Sequence, residues 1–401
     1  MPASRTPSVP LDVNAPHPLP AEIDTTRRLL ADVTATSLRT ALDSLIAGIP
    51  PGRVTTFGRL AVALGHPQAA VWVAKQVRSA VARDTDGSLP VWRVVRADGG
   101  LVVSADRDSQ STRLRAEGVP IDAGQVPLDR LIDPLPADGA GGPLARLIAA
   151  QRALAVLSPP VDPRDDGRPL PRFVRGLDVS YVPGDAAAVA ACVRIDTTTG
   201  ACVASTTTVV PSPLPYIPTL LAWRELPALL AAVAALDAVT TDSADDHAAE
   251  VCFVDGAGSL HPLRMGVATH LGLLTGRPTI GVTKSALGGR ALAASAADGC
   301  VPIIWPKRNV SGGNRQRKAT TGDDAASDLV ALRFDSAKGR PLYVSSGTGI
   351  PLGTAARWAR ALAFGRHLPV PIYFADRFSR EEARRFTPAD SEGPPKQHDC
   401  T

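Results

Sequence analysis

The chain has 401 residues, more than a single domain usually holds, so two domains are expected. Its formal net charge of +4 at pH 7 allows binding to nucleic acid without requiring it. The sequence has no apolar stretch as long as a membrane span and no signal-peptide core at its N-terminus. A soluble cytoplasmic monomer that does not bind membranes is therefore expected.

Composition divides the chain into five segments. Residues 1–36 are rich in proline, alanine and threonine with little periodicity, which predicts a loose, disordered tail. A first compact segment covers residues 37–122, and the proline and glycine content of residues 123–143 is typical of a linker. A larger domain follows over residues 144–385, and the polar residues 386–401 are expected to fray.

The first compact segment has a helical pattern with a basic side. A helix ending near residue 49 is followed by short helices over residues 59–64 and 69–82, with a glycine-containing turn between them. Two short helices joined in this way are typical of a helix-turn-helix. Lys75, Arg78 and Arg83 give the last helix a basic face, which suits phosphate contacts but is equally typical of a solvated surface.

Three blocks of this segment carry a resemblance: residues 49–58 (IPPGRVTTFG), 89–95 (LPVWRVV) and 114–118 (LRAEG). They resemble the DNA-binding domain of O6-alkylguanine-DNA alkyltransferases, and more closely the alkyltransferase-like proteins that lack the acceptor cysteine. The resemblance implies a small, mainly helical, winged helix-turn-helix-like domain that binds the minor groove. It implies these DNA-binding residues: Thr55, Thr56, Phe57, Trp72, Lys75, Arg78 and Arg93.

Departures from the alkyltransferase pattern decide the chemistry of this segment. The reactive cysteine of the family aligns with Val91, and the sequence has no cysteine before Cys192. Because a thiolate is the nucleophile that accepts the alkyl group, alkyl transfer is excluded. The intercalating arginine aligns with Val71, which makes the neighbouring Trp72 a candidate apolar wedge, while Arg93 is also open to a structural role.

The larger segment begins with three strands over residues 176–182, 188–195 and 201–210, whose short connections predict an antiparallel meander. The pattern then predicts helices over residues 226–236, 263–274 and 354–364, and strands over residues 251–254, 279–282, 329–334 and 342–345. This order is typical of an α/β fold with a mixed sheet. Residues 296–327 are interpreted as a long basic loop, either a solvated insertion or an arm that follows phosphates.

Acidic residues stand at unusual places in these predicted elements. Asp178 lies within a strand and Asp255 ends one, where a lone buried charge is costly, and Glu225 lies near the start of a helix. Three such acids could converge on one cation. Mg²⁺ suits this set, because it takes few protein carboxylates and completes its shell with water and phosphate oxygens.

Five blocks of the larger segment carry a second resemblance: residues 176–181 (GLDVSY), 215–218 (PYIP) leading into 223–225 (WRE), 254–258 (VDGAG) with His261 and Pro262, and 281–285 (GVTKS). Their order and spacing over residues 144–380 resemble endonuclease V. The resemblance implies an RNase H-like fold and cleavage of damaged double- or single-stranded DNA at the second phosphodiester bond 3′ to deoxyinosine. It also implies Mg²⁺ as cofactor, with Mn²⁺ as a substitute.

The resemblance also assigns catalytic roles. Asp178, Glu225 and Asp255 match the metal-binding acids, and Asp376 matches a further residue near the metal, although a helix-capping role explains it too. His261 and Lys284 match residues beside the scissile phosphate, where a cation offsets developing negative charge.

Substrate contacts follow from the same blocks. Tyr216 matches a wedge that replaces lost stacking when the altered base leaves the duplex, although a buried strand-end tyrosine explains the residue alone. Gly256 and Gly258 fit a base pocket whose walls are Leu221 and Val267. Two departures stand out: Thr219 replaces the usual glycine after Pro218, and Gly353 replaces an acid.

Three hypotheses follow. The first is an inosine-directed DNA repair endonuclease whose small domain supplies DNA affinity without chemistry. The second is a non-cleaving protein that recognises damage and recruits downstream repair factors, and the intact acids argue against it. The third is a ribonuclease for inosine in RNA, which the DNA-type small domain disfavours.

Overall fold

The computed structural model describes residues 20–398 except 84–86, 103–106, 135–140, 159, 212–213, 241–249, 293–298, 307–326 and 387–395. In that part of the chain, no helix is long and apolar enough to cross a membrane. The helices are α1 (Ala21–Asp32), α2 (Ala35–Ala47), α3 (Phe57–Ala63), α4 (Ala70–Arg83), α5 (Arg107–Ala116), α6 (Pro143–Leu154), α7 (Leu221–Val239), α8 (Val267–Thr275), α9 (Leu352–Ala361) and α10 (Val370–Arg385). The strands are β1 (Thr55–Thr56), β2 (Val94–Val95), β3 (Phe173–Tyr181), β4 (Ala187–Asp196), β5 (Ala201–Pro211), β6 (Val251–Asp255), β7 (Thr279–Thr283), β8 (Arg290–Ala291), β9 (Val301–Pro306), β10 (Ser327–Asp335) and β11 (Pro341–Ser346).

The small domain is mainly helical, as predicted. Strands β1 and β2 pair in parallel, and α3 and α4 form the helix-turn-helix. Thr56 caps α3 by accepting a hydrogen bond from the Arg59 N–H at 3.2 Å. Gly65 takes the turn with a φ of 102°, which a residue with a Cβ rarely adopts.

The small domain extends beyond the predicted boundary at residue 122. Val54 forms a parallel bridge with Leu131, and Val126 is buried in a satellite core with Leu101 and Leu114. Residues 123–132 therefore belong to the small domain and are not a linker, because their apolar side chains cover one end of it. Of the predicted linker, residues 135–140 lie outside the described residues.

The prediction of a disordered tail over residues 1–36 is wrong from residue 21 onward, where helix α1 begins. Helix α1 buries Ile23 in the core of the larger domain, beside Leu154 and Leu271. Arg27 donates a hydrogen bond to the Leu274 carbonyl at 2.9 Å, so α1 is docked against α8. The few apolar residues of α1 therefore pack on the larger domain although the surrounding sequence is polar. Residues 1–19 of the predicted tail lie outside the described residues.

The larger domain is built on a nine-stranded sheet in the order β5-β4-β3-β6-β7-β11-β10-β9-β8. Strands β3, β4 and β5 form the predicted antiparallel meander, and β6 and β7 continue from β3 in parallel. Strands β11, β10, β9 and β8 complete the sheet with antiparallel pairs. The predicted fold class, α/β with a mixed sheet, is confirmed.

Several details of the larger domain differ from the prediction, among them helix α6, which was not predicted. Helix α7 begins at Leu221, five residues early, with Pro227 in its interior, because a long buried face offsets one lost backbone hydrogen bond. The predicted loop over residues 296–327 contains strand β9, which was missed because Pro302 interrupts its apolar run. The basic residues 307–318 of this predicted loop lie outside the described residues. Helix α10 was not predicted.

The polar C-terminal segment is also better ordered than expected. Lys396 pairs with Thr207 of the edge strand β5 through two backbone hydrogen bonds of 2.8 and 3.0 Å. The His398 ring stacks on Phe378 with centroids 5.0 Å apart. Residues 396–398 therefore cover a sheet edge instead of fraying, which satisfies groups that an exposed edge leaves open.

The two domains share one apolar core. Trp72 and Leu64 of the small domain pack in the same cluster as Ile217 and Trp223 of the larger domain. Helix α6 lies between them, and its Leu144 N–H donates to the Leu64 carbonyl at 2.9 Å. The domains are therefore packed directly together, whereas the sequence had predicted a linker between them.

Candidate active site

The sheet register brings two predicted acids together. Strands β3 and β6 pair in parallel with Leu177 opposite Val254, so the next residues in each strand, Asp178 and Asp255, are neighbours. Parallel strands end at the same edge of a sheet, where ligands commonly bind in α/β proteins. The sheet therefore creates a pair of carboxylates at one edge.

Helix α10 supplies a third carboxylate. It packs so closely on β3 that a Cβ added to Gly176 would lie 2.0 Å from the Pro371 carbonyl oxygen, so only glycine fits there. This approach brings Asp376 to the strand ends and lets Ser379 donate a hydrogen bond to Asp178 at 2.6 Å. Asp376 lies inside the helix, so the alternative capping role is excluded.

Oxygen atoms of Asp178, Asp255 and Asp376 all lie within 4.8 Å of one another. Burial, followed by the charge of Asp255, raises the pKa of Asp178 to about 7. Lys284 donates to Asp255 at 2.7 Å and to Asp376 at 3.4 Å, and Arg380 contacts Asp376 at 2.8 Å. Burial of Asp178, reinforced by the charge of Asp255, therefore outweighs the hydrogen bond from Ser379 and the charge of Lys284, both of which lower this pKa.

Glu225 lies beside this cluster on α7. Burial, followed by the charges of Asp178 and Asp255, raises its pKa to about 8. Its side chain accepts a hydrogen bond from the Tyr181 hydroxyl at 3.3 Å, and Arg224 lies over the Tyr181 ring, 3.8 Å from its centroid. Glu225 is thus coupled electrostatically to the three aspartates, while its predicted role as a metal ligand stays a prediction.

His261, which the resemblance places beside the scissile phosphate, is buried in this structure. It is 5% exposed, and burial followed by the neighbouring His270 lowers its pKa to about 3. Its Nδ1 accepts a hydrogen bond from the Leu263 N–H at 3.2 Å. This lowered pKa favours the neutral imidazole in the protein alone, and the predicted role of His261 beside the scissile phosphate stays a prediction.

The predicted wedge is presented to solvent. Tyr216 is 62% exposed, which excludes the alternative of a buried strand-end tyrosine, and the next residue, Ile217, is 1% exposed. The loop therefore turns one side chain out and anchors the other inside. Such an exposed, anchored aromatic suits insertion into a base stack.

The two predicted pocket glycines are tightly packed. A Cβ on Gly256 would lie 2.2 Å from a methyl of Val267, and one on Gly258 would lie 2.2 Å from the Ser346 carbonyl oxygen. Val267 is buried and Leu221 half-buried. Close packing therefore requires glycine at both positions in this structure, and a base can enter here only if Val267 moves.

A separate cavity of about 680 Å³ is bounded by Ser259, Arg264, Ser346 and Ile350, among others. None of the five predicted substrate contacts lines it.

Several predicted DNA contacts of the small domain prove to be internal. Thr55 is fully buried and donates to the Ile132 carbonyl at 3.0 Å, and Trp72 is 8% exposed in the shared core. Arg93 is held by Glu117 at 2.9 Å and by the Ile49 carbonyl. In this structure the three side chains make internal contacts, and the Arg93 side chain is 12% exposed, so their predicted role in DNA binding stays a prediction that requires them to rearrange.

The exposed candidates lie on α4 and at the start of α3. Lys75 and Arg78 are exposed and Phe57 is half-buried, whereas Thr56 is buried as the cap of α3. Val71, which stands where the alkyltransferase family has its intercalating arginine, is 83% exposed. The basic face of α4 is thus the part of this motif that is open to phosphates.

Reversing this charge should weaken DNA binding in a salt-dependent way. The double variant Lys75→Glu, Arg78→Glu is expected to reduce the slope of log Kd against log salt concentration by about one for each phosphate that the protein no longer neutralises. Fluorescence anisotropy with an undamaged duplex over a series of NaCl concentrations measures this slope. Arg39→Glu, at an exposed position of α2, is the control, and an unchanged slope in the double variant contradicts the assignment.

Three residues of the site were missed from sequence. Tyr181 and Arg224 stood inside quoted blocks but received no role, although each adjoins an acid in space. Ser379 could have been found by spacing, because it lies three residues after Asp376 on the same helix face. Its hydrogen bond fixes the orientation of Asp178.

The geometry defines a class of site. Carboxylates gathered at the ends of parallel strands, with a lysine among them, are typical of enzymes that hydrolyse phosphodiester bonds with the help of a divalent metal. An exposed aromatic on the loop that leads into the helix of Glu225, together with a basic helix on an adjoining domain, is typical of proteins that act on nucleic acid.

Comparison with known proteins agrees with this class. Residues 157–377 match the sequence model of Endonuclease V, and residues 38–119 match that of the 6-O-methylguanine DNA methyltransferase DNA-binding domain. Endonuclease V of Azotobacter vinelandii is 35% identical over 212 residues, 53% of this chain and 83% of that protein. The structure of human ENDOV is 27% identical, covers 60% of this chain and 98% of its own, and has a TM-score of 0.49. That of S. pombe Atl1 in complex with damaged DNA is 26% identical, covers 25% of this chain and 97% of its own, and has a TM-score of 0.23.

The chain belongs to the Endonuclease V family. It is thus a nuclease of DNA repair, and an alkyltransferase-like DNA-binding domain precedes its nuclease domain.

Proposed function

We propose that this protein hydrolyses DNA at the second phosphodiester bond 3′ to a deoxyinosine. The observation that carries the proposal is the cluster of Asp178, Asp255 and Asp376 around Lys284, since these groups together suit metal-assisted phosphodiester hydrolysis. The family supports the same reaction class.

The residues of the cluster fit a hard divalent cation. Their donors are all carboxylate oxygens, and burial followed by the charges of neighbouring acids raises the pKa of Asp178 and Glu225, so a cation placed among them would favour their ionised forms. Asp178, Asp255 and Asp376, with Glu225 beside them, would hold Mg²⁺, for which Mn²⁺ substitutes. When bound, the cation activates a water molecule and offsets charge on the phosphate.

The protein side chains have separate tasks in this reaction. Tyr216 replaces the stacking of the base that leaves the duplex, and Leu221, Gly256, Gly258 and Val267 form the pocket that receives it. Lys284, whose pKa rises because the charges of Asp255 and Asp376 outweigh its burial, stays protonated and stabilises negative charge at the phosphate. Ser379 holds Asp178 in orientation.

The small domain contributes binding without chemistry. The sequence has no cysteine before Cys192, so this domain has no thiolate to accept an alkyl group. Its exposed Lys75 and Arg78 increase the affinity for the DNA backbone.

The test is nicking of a labelled duplex that carries one deoxyinosine, with Mg²⁺ or EDTA, by the wild type and by Asp255→Ala. We expect one cut 3′ to the inosine that requires Mg²⁺ and is lost in the variant. Parallel substrates carry O6-methylguanine in DNA or inosine in RNA, and preferential cutting of the RNA would replace the DNA assignment. Wild-type protein that binds the inosine duplex but cuts no substrate would show a non-cleaving damage-recognition protein instead.

A further inference from the structure

The loop that carries Tyr216 makes polar contacts with the small domain. His66, in the turn between α3 and α4, is 9% exposed and directs its Nε2 at the larger domain. This atom lies 3.1 Å from the Thr219 hydroxyl and 3.2 Å from the Pro218 carbonyl oxygen. A polar contact between the two domains therefore falls on the loop of residues 215–219, here called the wedge loop.

Thr219 needs such support because of its backbone conformation. Its φ of 69° lies in the left-handed region, which a β-branched residue rarely occupies. The sequence of this chain has threonine where the resembling family usually has glycine, the residue that adopts this φ without cost. His66 lies within hydrogen-bond distance of its hydroxyl, so a polar contact from the small domain supports the strained residue.

Another residue of the wedge loop also packs against the small domain. Ile217, next to Tyr216, is 1% exposed and packs in the core that contains Trp72 and Leu64 of the small domain. Helix α7 follows two residues after Thr219 and carries Glu225. A shift of Thr219 would therefore move both the exposed aromatic and the start of the helix that carries a catalytic acid.

We propose that His66 is a positioning residue for lesion recognition: by holding Thr219 in the left-handed conformation it sets the direction of Tyr216. The small domain is then part of the machinery that opens the duplex, in addition to binding the backbone. This inference rests on the proposed function, because Tyr216 matters only if a base leaves the stack.

The test combines cleavage with a direct signal for base unstacking. The substrate carries deoxyinosine with 2-aminopurine as its 3′ neighbour, whose fluorescence rises when stacking is lost. Unstacking is measured with Ca²⁺ in place of Mg²⁺, and the single-turnover cleavage rate is measured with Mg²⁺. The variants are His66→Leu, His66→Gln and the double variant His66→Leu, Thr219→Gly, and affinity for an undamaged duplex is measured for each.

His66→Leu is expected to lower the cleavage rate by about tenfold and to reduce the 2-aminopurine signal, because small misplacements of substrate-positioning groups have large effects on rate. Affinity for the undamaged duplex should change by less than about twofold, because the exposed basic residues of α4 remain. His66→Gln should keep most of the rate, since its amide nitrogen replaces Nε2. The double variant should recover most of the rate, since glycine takes the required φ without support.

Failure of the inference can be told apart from failure of the proposed function. Wild-type protein that neither unstacks nor cuts the inosine duplex would overturn both. Wild-type activity that His66→Leu shares in full would overturn the inference alone. A loss that Thr219→Gly does not restore, together with a lower Tm, would show that His66 only packs the interface, and would also overturn it.

Discussion

The variant Asp178→Asn is expected to lose cleavage by about a thousandfold or more and, without metal, to be more stable than the wild type near pH 8. The loss of rate follows because removing one charged oxygen donor removes several kcal/mol of transition-state stabilisation, at about 1.4 kcal/mol per factor of ten. The gain in stability follows because Asp178 is 8% exposed and adjoins Asp255, so its charge is costly in the folded state.

The pH dependence of this gain has a definite sign. The folded-state pKa of Asp178 is about 7, against an ordinary value of 3.8. Between these values the unfolded chain has lost the proton and the folded protein retains it, so the contribution of Asp178 to wild-type stability is full below about pH 4 and is lost as the pH rises to about 7. Asparagine does not titrate. The difference in the free energy of unfolding, variant minus wild type, should therefore rise over this range by up to several kcal/mol and level off above it.

Urea denaturation in EDTA at pH 5, 6, 7 and 8 measures this difference. Addition of Mg²⁺ at pH 8 should then raise the stability of the wild type and have little effect on Asp178→Asn, since a ligand stabilises only the state that binds it. Asp335→Asn, an exposed carboxylate outside the cluster, is the control and should follow the wild type. A variant whose stability runs parallel to the wild type at every pH would contradict the electrostatic account of the site.

The variant Trp72→Ala is expected to destabilise the whole protein by about 3–5 kcal/mol, the usual cost of removing a large buried aromatic. Trp72 is 8% exposed and lies in the same apolar cluster as Ile217 and Trp223 of the nuclease domain. The cavity would therefore open between the domains, and both should unfold in one transition at a lower urea concentration. Circular dichroism and loss of nicking activity along the same urea series measure the two domains together.

The neighbouring Val71→Ala is the matched control. Val71 is 83% exposed, so its truncation should change stability by less than about 0.5 kcal/mol. If Trp72 were instead a wedge that enters DNA, Trp72→Ala would keep wild-type stability and lose only DNA binding. Two separate transitions in the wild type would likewise contradict the shared core.

Local patterns in the chain were sufficient to predict much of the fold and the unusual positions of Asp178 and Asp255. The alternating and apolar runs of β3 to β7 determined strands and their order, since burial on a sheet requires that pattern. Asp178 and Asp255 were recognisable because a carboxylate within or at the end of an apolar strand is costly without a partner. Asp376 required the family resemblance, because the helix that carries it was not predicted.

The sequence by itself determined the mixed sheet, the acidic residues that meet at its edge and the absence of an alkyl-accepting cysteine. Only the tertiary structure decided that Trp72 and Arg93 make internal contacts, that burial lowers the pKa of His261 and that His66 contacts Thr219. The physical reason is the same in each case. Periodicity shows which side of an element is buried, but the surface that buries it comes from a distant part of the chain. Burial and close polar contacts across that surface then set the charge, the exposure and the conformation of each residue.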